Sequence, residues 1–553
     1  MLHQAITRLA LLAMLPISAF SAQTQTSDSS SQTPYLVPTR NDVITRSLIT
    51  VGDAVNYKPD GVTPYRMVGI PDGLGAFDNG DGTFTVVMNH EIAVNLPVNS
   101  TVATAPGAIR AHGNAGAFVS IWTISKDNLG VLHGEDFLQN DTSLFLSNND
   151  PNAGVGHTGY LPGATTLITR LCSGDLGAPT AYAWTDPESS TFYGTTSRIF
   201  QSGEESGGVA TSITGGGNLG PEGVVNFGRQ FAWILTDDPN TPENDARTGY
   251  EIPHCGLFAW ENFVANPYSQ RKTIVVGMDD TSPGGQVYVW IGEKQTTGNV
   301  VERAGLTRQS ANDNLYVVKA SGLATEASGA TVESRNTPVN GTFTLENEGD
   351  VTGLKAEQLE TLSNTKGATK FLRPEDGSWD PSNPSDYYFV TTDRYDQVKD
   401  GVGTQVGRSR LYRLRFSDIE HPELGGTVTC LLDGTQPHNM FDNITVNKRG
   451  SIFLQEDVGN ESHLGKLWRY YIPTGKLEIV AQHDPARFGN IGVAATAPYT
   501  KDEESSGIIP MDDILGEGWY LLDVQAHYNP GVIELVEGGQ LLALHFAPGQ
   551  EKK

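Results

Sequence analysis

The hexapeptide Tyr388-Phe389-Val390-Thr391-Thr392-Asp393 is an apolar run that ends in an acidic residue. Four more runs have this form and end in acidic or histidine residues, at 85–91, 273–280, 452–457 and 520–527. Each run predicts a buried β-strand that delivers a carboxylate or an imidazole at its C-terminal end. Because the runs are spread over the whole chain, we expect several strand ends to converge on one acidic, metal-binding site.

The rest of the pattern predicts an all-β fold. Helical periodicity is scarce and is strongest at 351–363, whereas alternating large residues recur after turns at 256–260, 286–290, 410–414 and 466–470. Successive four-stranded sheets around an axis give such a repeat, and its irregular spacing implies long inserted loops. A β-sandwich with a second β-domain is the alternative. We favour a β-propeller because a sandwich would scatter the acidic strand ends.

The charge balance limits the partners. The chain has 553 residues, with 37 Lys and Arg against 64 Asp and Glu, which gives a formal charge of −27. This charge argues against nucleic acid or an anionic membrane surface as a partner. The excess of acid serves solubility, or bound cations neutralise part of it.

The N-terminus predicts export. Residues 1–21 resemble a secretory signal peptide, with Arg8 before an apolar stretch and small residues before a cleavage site after Ser21. Residues 22–38 are rich in Ser, Thr and Gln and are expected to be disordered. The remaining 39–548 would form the propeller domain. A periplasmic or secreted protein is expected, since no later segment is long and apolar enough to span a bilayer.

Individual residues suggest metal chemistry. Cys172 belongs to an odd set of three cysteines and is either a buried apolar residue or a metal-bound thiolate. Glu261 follows an aromatic run, and its burial would require a cation or a donor. Arg373 and Glu375 are two apart, which on an extended chain places them on one face. They form a surface ion pair, or Glu375 binds a metal while Arg373 grips a phosphate.

Other acidic groups have two interpretations. Asp442 and Asn443 could build a turn or supply the oxygen ligands that calcium favours. The pair Glu204 and Glu205 lies in a predicted loop, where acidic residues are usually solvated. The sequence leaves open whether three further acids join the site: Glu91, Glu222 and Glu456. The chain contains no G-x-S-x-G elbow, P-loop or HExxH motif.

Taken in order, several segments resemble the PhoX-type alkaline phosphatases, which are secreted six-bladed β-propellers. The segments are 89–91, 170–176, 203–205, 257–262, 277–280, 373–377 and 442–443. The family site is a cluster of ferric and calcium ions. The resemblance implies that Cys172 is the iron-binding thiolate, that Glu261 and Glu375 bridge the metals, and that Arg373 grips phosphate. It also implies that Asp442 and Asn443 bind calcium, and that Glu204 and Glu205 match a Glu-Glu pair among the ligands.

The sequence departs from the family in two places. It lacks the twin-arginine signal, and the Gly-rich, Trp-containing run after the cysteine is absent. With these differences, the resemblance implies a six-bladed β-propeller with long inserted loops.

The expected function is an exported phosphoric monoester hydrolase of the alkaline phosphatase type, dependent on Fe3+ and Ca2+, with a metal-bound oxide or hydroxide as nucleophile. Its partner would be a small-molecule phosphoester, with no nucleic acid and no membrane, and the chain is expected to be a monomer. Two alternatives remain. One is a calcium-dependent propeller hydrolase of another class, such as a phytase or lactonase. The other is a non-catalytic extracellular binding module that metals staple together.

Overall fold

A computed structural model provides the fold of this chain. It describes residues 23–93, 107–147, 160–162, 167–206, 208–210, 225–241, 245–322, 325–326, 335–547, 549 and 551. The predicted signal peptide, residues 1–21, and the turn that holds Glu222 lie outside the described residues.

The described residues are mainly β-strands. In chain order the strands are β1 Thr24–Thr26, β2 Leu36–Pro38, β3 Val43–Thr50, β4 Ala54–Tyr57, β5 Pro64–Arg66, β6 Pro71–Asp78, β7 Thr83–His90, β8 Phe118–Ser125, β9 Val131–Asp136, β10 Leu144–Ser147, β11 Tyr160–Pro162, β12 Leu171–Leu176, β13 Ala183–Thr185, β14 Phe192–Gly194, β15 Ile199–Glu204, β16 Gly208–Ala210, β17 Val225–Phe227, β18 Gln230–Ile234, β19 Thr248–Glu251, β20 Trp260–Ala265, β21 Lys272–Asp279, β22 Val287–Glu293, β23 Asn314–Ala320, β24 Gly341–Gly349, β25 Pro374–Trp379, β26 Asp386–Thr391, β27 Arg410–Phe416, β28 Gly426–Leu432, β29 Phe441–Val446, β30 Ser451–Glu456, β31 Lys466–Tyr471, β32 Lys476–His483, β33 Glu503–Pro510, β34 Trp519–Ala526 and β35 Gly538–Phe546.

Helices are short and lie between strands. The α-helices are Val300–Arg303, Ala356–Lys366, Gln397–Asp400, Pro485–Phe488 and Asp512–Leu515. Single 3-10 turns cover Asp141–Ser143, Pro179–Ala181, Pro253–Cys255 and Pro422–Leu424. The helical pattern predicted at 351–363 corresponds to Ala356–Lys366, in which Leu359 is buried. No helix among the described residues is long and apolar enough to cross a membrane.

The strands form a propeller-like ring, which confirms the predicted all-β propeller architecture. Six strands lie innermost, and each contacts the next around a closed circle: β6, β12, β20, β25, β29 and β33. Each begins an antiparallel group of four strands, which we number 1 to 6 in chain order. The groups are not six separate sheets, because β24 joins groups 3 and 4 into one nine-stranded sheet.

The five apolar runs are confirmed as strands, but they are not the innermost ones. They form β7, β21, β26, β30 and β34, the second strand of groups 1, 3, 4, 5 and 6. A second strand runs antiparallel to its innermost neighbour, so its C-terminal end lies beside the start of that neighbour. Both kinds of strand therefore present residues at the same mouth of the ring.

Aromatic side chains fill the space between neighbouring groups. Trp260 is fully buried, and its ring meets Phe258 and Tyr288 edge to face. Such residues bury large apolar areas and hold the sheets together. The alternating repeat that predicted the propeller belongs mostly to third strands, namely β22, β27 and β31.

The N-terminal segment closes the ring. Strand β3 pairs with β35 and so completes group 6, while β1 pairs parallel with β3, and β2 pairs with β32. The expectation that 22–38 is disordered is wrong for the described residues 23–38. The polar side chains that suggested disorder instead make hydrogen bonds, for example from Ser29 to the carbonyl of Leu48 at 2.7 Å.

Candidate metal centre

One ring of ligand-type side chains surrounds the mouth of the propeller. The second residue of every innermost strand belongs to it: Asp72, Cys172, Glu261, Glu375, Asp442 and Glu504. All six are buried, with at most 8% of each residue exposed. We call them the inner ring. Five carboxyls and one thiol thus face one another because each occupies the same place in its group.

A bulge follows the inner-ring residue in most groups. In β12, for example, Leu171 pairs with Glu204, but the register has shifted by the time Gly174 pairs with Ser202. The same shift occurs at the start of β6, β20, β25 and β29, and slightly later in β33. A bulge releases a side chain from the regular alternation of the strand and re-aims it, here toward the axis.

The backbone before each innermost strand is equally regular. The residue two before the inner-ring side chain accepts the N–H of the residue that follows the second strand, at 2.9–3.1 Å in all six groups. The six accepting residues are Ile70, Arg170, Ala259, Arg373, Met440 and Asp502. Four of them are left-handed: Ile70, Arg170, Arg373 and Met440, with φ from 40° to 56°. Such a conformation is costly for residues other than glycine and marks a constrained lead into the strand.

The donors of these six bonds form an outer ring. They are Glu91, Glu205, Asp280, Thr392, Asp457 and His527. Burial lowers the pKa of His527, but its 2.5 Å hydrogen bond to Glu537 and the charges of Glu537, Asp502 and Glu91 together raise the pKa to about 9. The outer ring therefore holds four carboxyls and one imidazolium just above the inner ring.

Ligand atoms of the two rings lie close enough to share metal ions. Three triplets have ligand atoms within 4.8 Å of one another: Asp72, Glu91 and Cys172; Cys172, Glu205 and Glu261; Glu261, Glu375 and Asp442. Cys172 and Glu261 each belong to two triplets, so the seven side chains form one continuous cluster. Oxygen-rich sets of this kind suit hard cations, and the thiol adds a softer donor.

Burial makes the cluster electrostatically unfavourable without cations. It raises the pKa of Glu261 well above the ordinary value, and the charges of Asp442 and Glu375 raise it further. Burial likewise raises the pKa of the Cys172 thiol, and it raises the pKa of Asp72 to about 8. One buried oxygen of Glu261 and one of Glu375 accept no hydrogen bond from the described residues. Orphaned buried carboxylate oxygens are costly unless a cation pairs with them, so the donor set fits a metal cluster.

Arg373 lies at the edge of this cluster. Its Nε and Nη2 donate to the two oxygens of Asp280 at 2.8 and 2.7 Å, and its Nη2 is 3.4 Å from Glu375. The side chain is 30% exposed. A carboxylate therefore holds one edge of the guanidinium, while the group itself remains accessible at the mouth.

Comparison with known proteins identifies this architecture. Residues 188–503, more than half of the chain, match the family model of alkaline phosphatase PhoX. The chain belongs to the PhoX alkaline phosphatase family. Comparison with curated proteins finds no match.

Among solved structures, one PhoX structure has the same fold. PhoX of Pseudomonas fluorescens, in complex with the transition-state analogue vanadate, superposes with a TM-score of 0.57 over 95% of this chain and 97% of that one, at 13% identity. An ulvan lyase of polysaccharide lyase family PL25 covers 87% of this chain and 95% of its own at 9% identity, with a TM-score of only 0.28. The exotype rhamnogalacturonan lyase YesX covers 91% and 76% at 11% identity and scores 0.26. We draw nothing from these two lyases.

Most residues that the resemblance to PhoX indicated do come together. Cys172, Glu261, Glu375 and Asp442 belong to the inner ring, and Glu205 to the outer ring. Four of these five side chains come from different groups and are separated by up to 270 residues in sequence, counted from Cys172 to Asp442 (442 − 172). Only closure of the ring brings them within reach of shared ions.

The structure does not bring Glu204 into the cluster. Its carboxylate is fully buried and accepts hydrogen bonds from the guanidinium of Arg229 and from the backbone N–H of Thr169, Gly228 and Arg229. Its place at the end of β15 turns it away from its neighbour Glu205, since successive side chains of a strand point to opposite faces. The structure therefore places Glu204 in a buried ion pair and outside the three ligand triplets, unlike the expected position among the metal ligands.

Asn443 does not offer an oxygen to a metal either. Its Oδ1 accepts the backbone N–H of Gly507 at 3.1 Å and the hydroxyl of Ser173 at 3.3 Å. Its Nδ2 donates to Asp442 at 2.6 Å. The N–H of Gly507 fixes which end of the amide is the oxygen. The expected calcium ligand therefore orients the neighbouring ligand Asp442.

Sequence reasoning missed Asp72 and Glu504 and left Glu91 open. The structure places Glu91 in a triplet, whereas Glu456 is a structural residue that accepts hydrogen bonds from His463 and Trp468. A signal for Asp72 and Glu504 was present. In all six groups an acid or a cysteine is followed within three residues by glycine or directly by asparagine, as in Asp72-Gly73 and Glu261-Asn262.

Proposed function

We propose that this chain is an exported, metal-dependent phosphatase that hydrolyses phosphate monoesters. The observation that carries the proposal is the cluster of one thiol and six carboxyls at the mouth of a PhoX-family propeller, with Arg373 at its edge. The acidic cluster would repel a phosphate dianion in the absence of cations. A phosphate-processing site here therefore requires bound metal.

The two parts of the cluster suit different ions. Cys172 supplies the thiol of two of the three triplets, and a thiolate together with carboxylates suits iron. The third triplet, Glu261, Glu375 and Asp442, offers only oxygens, as calcium prefers. We assign Fe3+ to the Cys172 side and Ca2+ to the all-carboxylate side. When bound, such ions supply Lewis-acid stabilisation of phosphoryl oxygens and acidify water.

The side chains of the protein bind and orient the substrate. Asp280 holds Nε and Nη2 of Arg373, which leaves Nη1 and the second Nη2 hydrogen for phosphoryl oxygens. Asp280 occupies the Nε–Nη2 edge and so sets the angle at which the rest of the Arg373 guanidinium meets the substrate. A guanidinium held in this way stabilises charge that develops on the phosphoryl group during transfer.

We assign no side chain the role of nucleophile. The hydroxyl of Ser173 donates to Asn443, and that of Ser506 donates to Asp72 at 2.8 Å. Neither is bonded to a histidine that could activate it in the manner of a Ser-His pair.

The remaining parts of the proposal concern substrate and location. We propose a small-molecule phosphoester as substrate, a monomeric enzyme without nucleic-acid or membrane partners, and a periplasmic or secreted site of action. The net charge of −27 supports the absence of polyanionic partners. The vanadate complex of the Pseudomonas fluorescens PhoX supports a phosphoryl-transfer site in the same fold.

The test uses the purified full chain in metal-loaded form. We expect hydrolysis of p-nitrophenyl phosphate in preference to phytate or a lactone, iron and calcium by elemental analysis, and a visible thiolate–iron absorption band. In Cys172→Ser we expect loss of that band and of iron, with the fold retained by circular dichroism. A colourless protein that holds calcium alone, or a fully loaded one that cleaves only the lactone or phytate, would overturn the proposal.

A further inference from the structure

The regularity of the ring assigns a role to Arg170, for which the proposed mechanism has no use. Among the six residues that precede the inner-ring side chains by two positions, two are arginines: Arg170 in group 2 and Arg373 in group 4. The other four are Ile70, Ala259, Met440 and Asp502. Because the six positions are equivalent in backbone hydrogen bonding, their side chains start from equivalent places around the mouth.

The two arginines are alike in conformation as well as in position. Arg170 has φ +41° and accepts the N–H of Glu205 at 2.9 Å, while Arg373 has φ +56° and accepts the N–H of Thr392 at 3.1 Å. Each is thus held in a left-handed conformation by the second strand of its own group. This constrained backbone fixes the direction of the Cα–Cβ bond from which each arginine side chain starts.

Their acidic partners are equivalent too. Nη2 of Arg170 is 2.8 Å from Glu91, the outer-ring carboxylate of group 1. Arg373 binds Asp280, the outer-ring carboxylate of group 3. Each arginine therefore reaches back to the outer-ring acid of the preceding group. Arg170 makes one additional contact, an ion pair between its Nη2 and Glu205.

A short chain of contacts connects the two arginines. Arg170 forms an ion pair with Glu205, and Glu205 forms a β-bridge with Ala259. Ala259 accepts the N–H of Asp280, the carboxylate that holds Arg373, so the contacts of the two arginines meet between groups 2 and 3. The Arg170 side chain is 42% exposed and that of Arg373 30% exposed, so a ligand at the mouth can reach both. The Nε of Arg170 has no hydrogen-bond partner among the described residues.

We propose that Arg170 is a second arginine that binds the phosphoryl group together with Arg373, and that the pair selects phosphate monoesters over diesters. This inference rests on the proposed phosphatase function. A monoester above its second pKa, near 6, carries two negative charges and three terminal oxygens. A diester carries one charge and two such oxygens. Two guanidinium groups match the two charges and three terminal oxygens of a monoester, whereas one guanidinium is enough for the single charge of a diester.

The comparison of two substrates tests this selection. In Arg170→Gln we expect KM for p-nitrophenyl phosphate to rise about tenfold or more, as for loss of one charge-assisted contact of ~1.4 kcal/mol. The value of kcat should change less, because the ions and Arg373 remain. For bis(p-nitrophenyl) phosphate we expect little change in kcat/KM. The ratio of monoester to diester kcat/KM should therefore fall about tenfold, and inhibition by vanadate should weaken in parallel.

Two further variants act as controls. Arg170→Lys keeps one positive charge and should restore part of the ratio. Arg415 is also an exposed arginine bound by a carboxylate, since it is 47% exposed and its Nε donates to Asp386 at 2.6 Å, but it lies on β27 away from the mouth. Arg415→Gln should leave KM and the ratio unchanged.

Metal content separates the outcomes. If Arg170→Gln keeps its metals and its fold but also keeps the wild-type ratio, Arg170 does not bind substrate and the inference is overturned. If the variant loses its metals, Arg170 positions Glu91 and Glu205 as ligands, which also overturns the inference. A wild-type protein that is loaded with metal yet inactive on the monoester would instead overturn the proposed function.

Discussion

The carboxylate of Glu326 accepts the backbone N–H of Leu372 at 2.8 Å, immediately before Arg373 in the chain. Glu326 lies in the connection between β23 and β24 and is fully buried. The same carboxylate accepts the hydroxyl of Tyr412 at 2.8 Å and pairs with the buried guanidinium of Arg410. Glu326 thus connects an inserted loop to the strained backbone that aims Arg373.

We expect Glu326→Gln to lower kcat/KM for p-nitrophenyl phosphate by tenfold or more, mainly through KM. One amide oxygen cannot accept from all three donors, so Leu372 or Arg410 loses its partner. Loss of the negative charge that pairs with the buried Arg410 would also destabilise the fold by about 3 kcal/mol. Steady-state kinetics well below the melting temperature separate the two effects. Glu302→Gln removes another buried carboxylate, one that caps the helix Val300–Arg303, and should leave KM unchanged.

The adjacent residues Glu204 and Glu205 make a matched pair of variants. Glu204→Gln breaks a buried ion pair with Arg229 and should cost about 3–5 kcal/mol of stability, with metal content per folded chain unchanged. Glu205→Gln removes a cluster carboxylate and should weaken metal binding about tenfold or more. Denaturant unfolding and elemental analysis measure the two effects. If Glu204→Gln lost metal and Glu205→Gln kept it, Glu204 would be the ligand instead.

Removal of the metals should destabilise the protein by about 3 kcal/mol or more, since ions that bind only the folded state add stability in proportion to their occupancy. The unbonded oxygen of Glu261 would then face other acids, and that of Glu375 would have Arg373 Nη2 at 3.4 Å as its cationic neighbour. Calorimetry with and without a chelator gives the difference in Tm.

Asn443→Asp should increase the difference in Tm between the metal-loaded and the chelated protein. The substitution replaces the N–H that Asn443 donates to Asp442 by a carboxylate oxygen, so two like charges meet when no cation is present. A loaded protein would tolerate the added charge better than a chelated one. Equal losses of Tm in both forms would show that Asn443 acts only through Ser173 and Gly507.

The pH dependence of stability should change in His463→Gln. Burial lowers the pKa of His463, but Glu456 and Asp400, at 2.9 and 2.8 Å from its ring nitrogens, raise it above its ordinary value overall. Burial alone would raise the pKa of Glu456, but His463 and Lys466 lower it to about 2. Both partners are therefore charged in the folded protein at pH 6.

A group with a raised folded pKa stabilises fully below its unfolded pKa, about 6.5 for histidine, and this stability is lost as pH rises through the folded value. The wild type should therefore exceed His463→Gln in unfolding free energy by about 3 kcal/mol at pH 6 and by less at alkaline pH. Urea unfolding at several pH values measures this difference. A difference that stays constant with pH would mean that His463 is neutral in the fold.

The sequence by itself determined the all-β class, since short β-branched runs between turn residues leave little else for the chain to form. The run 388–393 and its four counterparts became strands, as their patterns predicted. The resemblance to PhoX also singled out Cys172, Glu261 and Glu375, which occupy equivalent positions at the starts of innermost strands and come together in the structure. Local pattern is sufficient where a residue's role follows from its own strand.

The tertiary structure alone decided which acids face one another. Glu204 and Glu205 are neighbours in sequence, yet Arg229 neutralises the first, whereas the second belongs to a ligand triplet of the candidate metal centre. Asn443 became a support for Asp442 because Gly507, from another group, occupies its oxygen. A buried polar atom has lost its hydrogen bonds to water and needs a partner within the protein, and this partner determines the role of the atom. In this fold that partner arrives only when the ring of innermost strands closes.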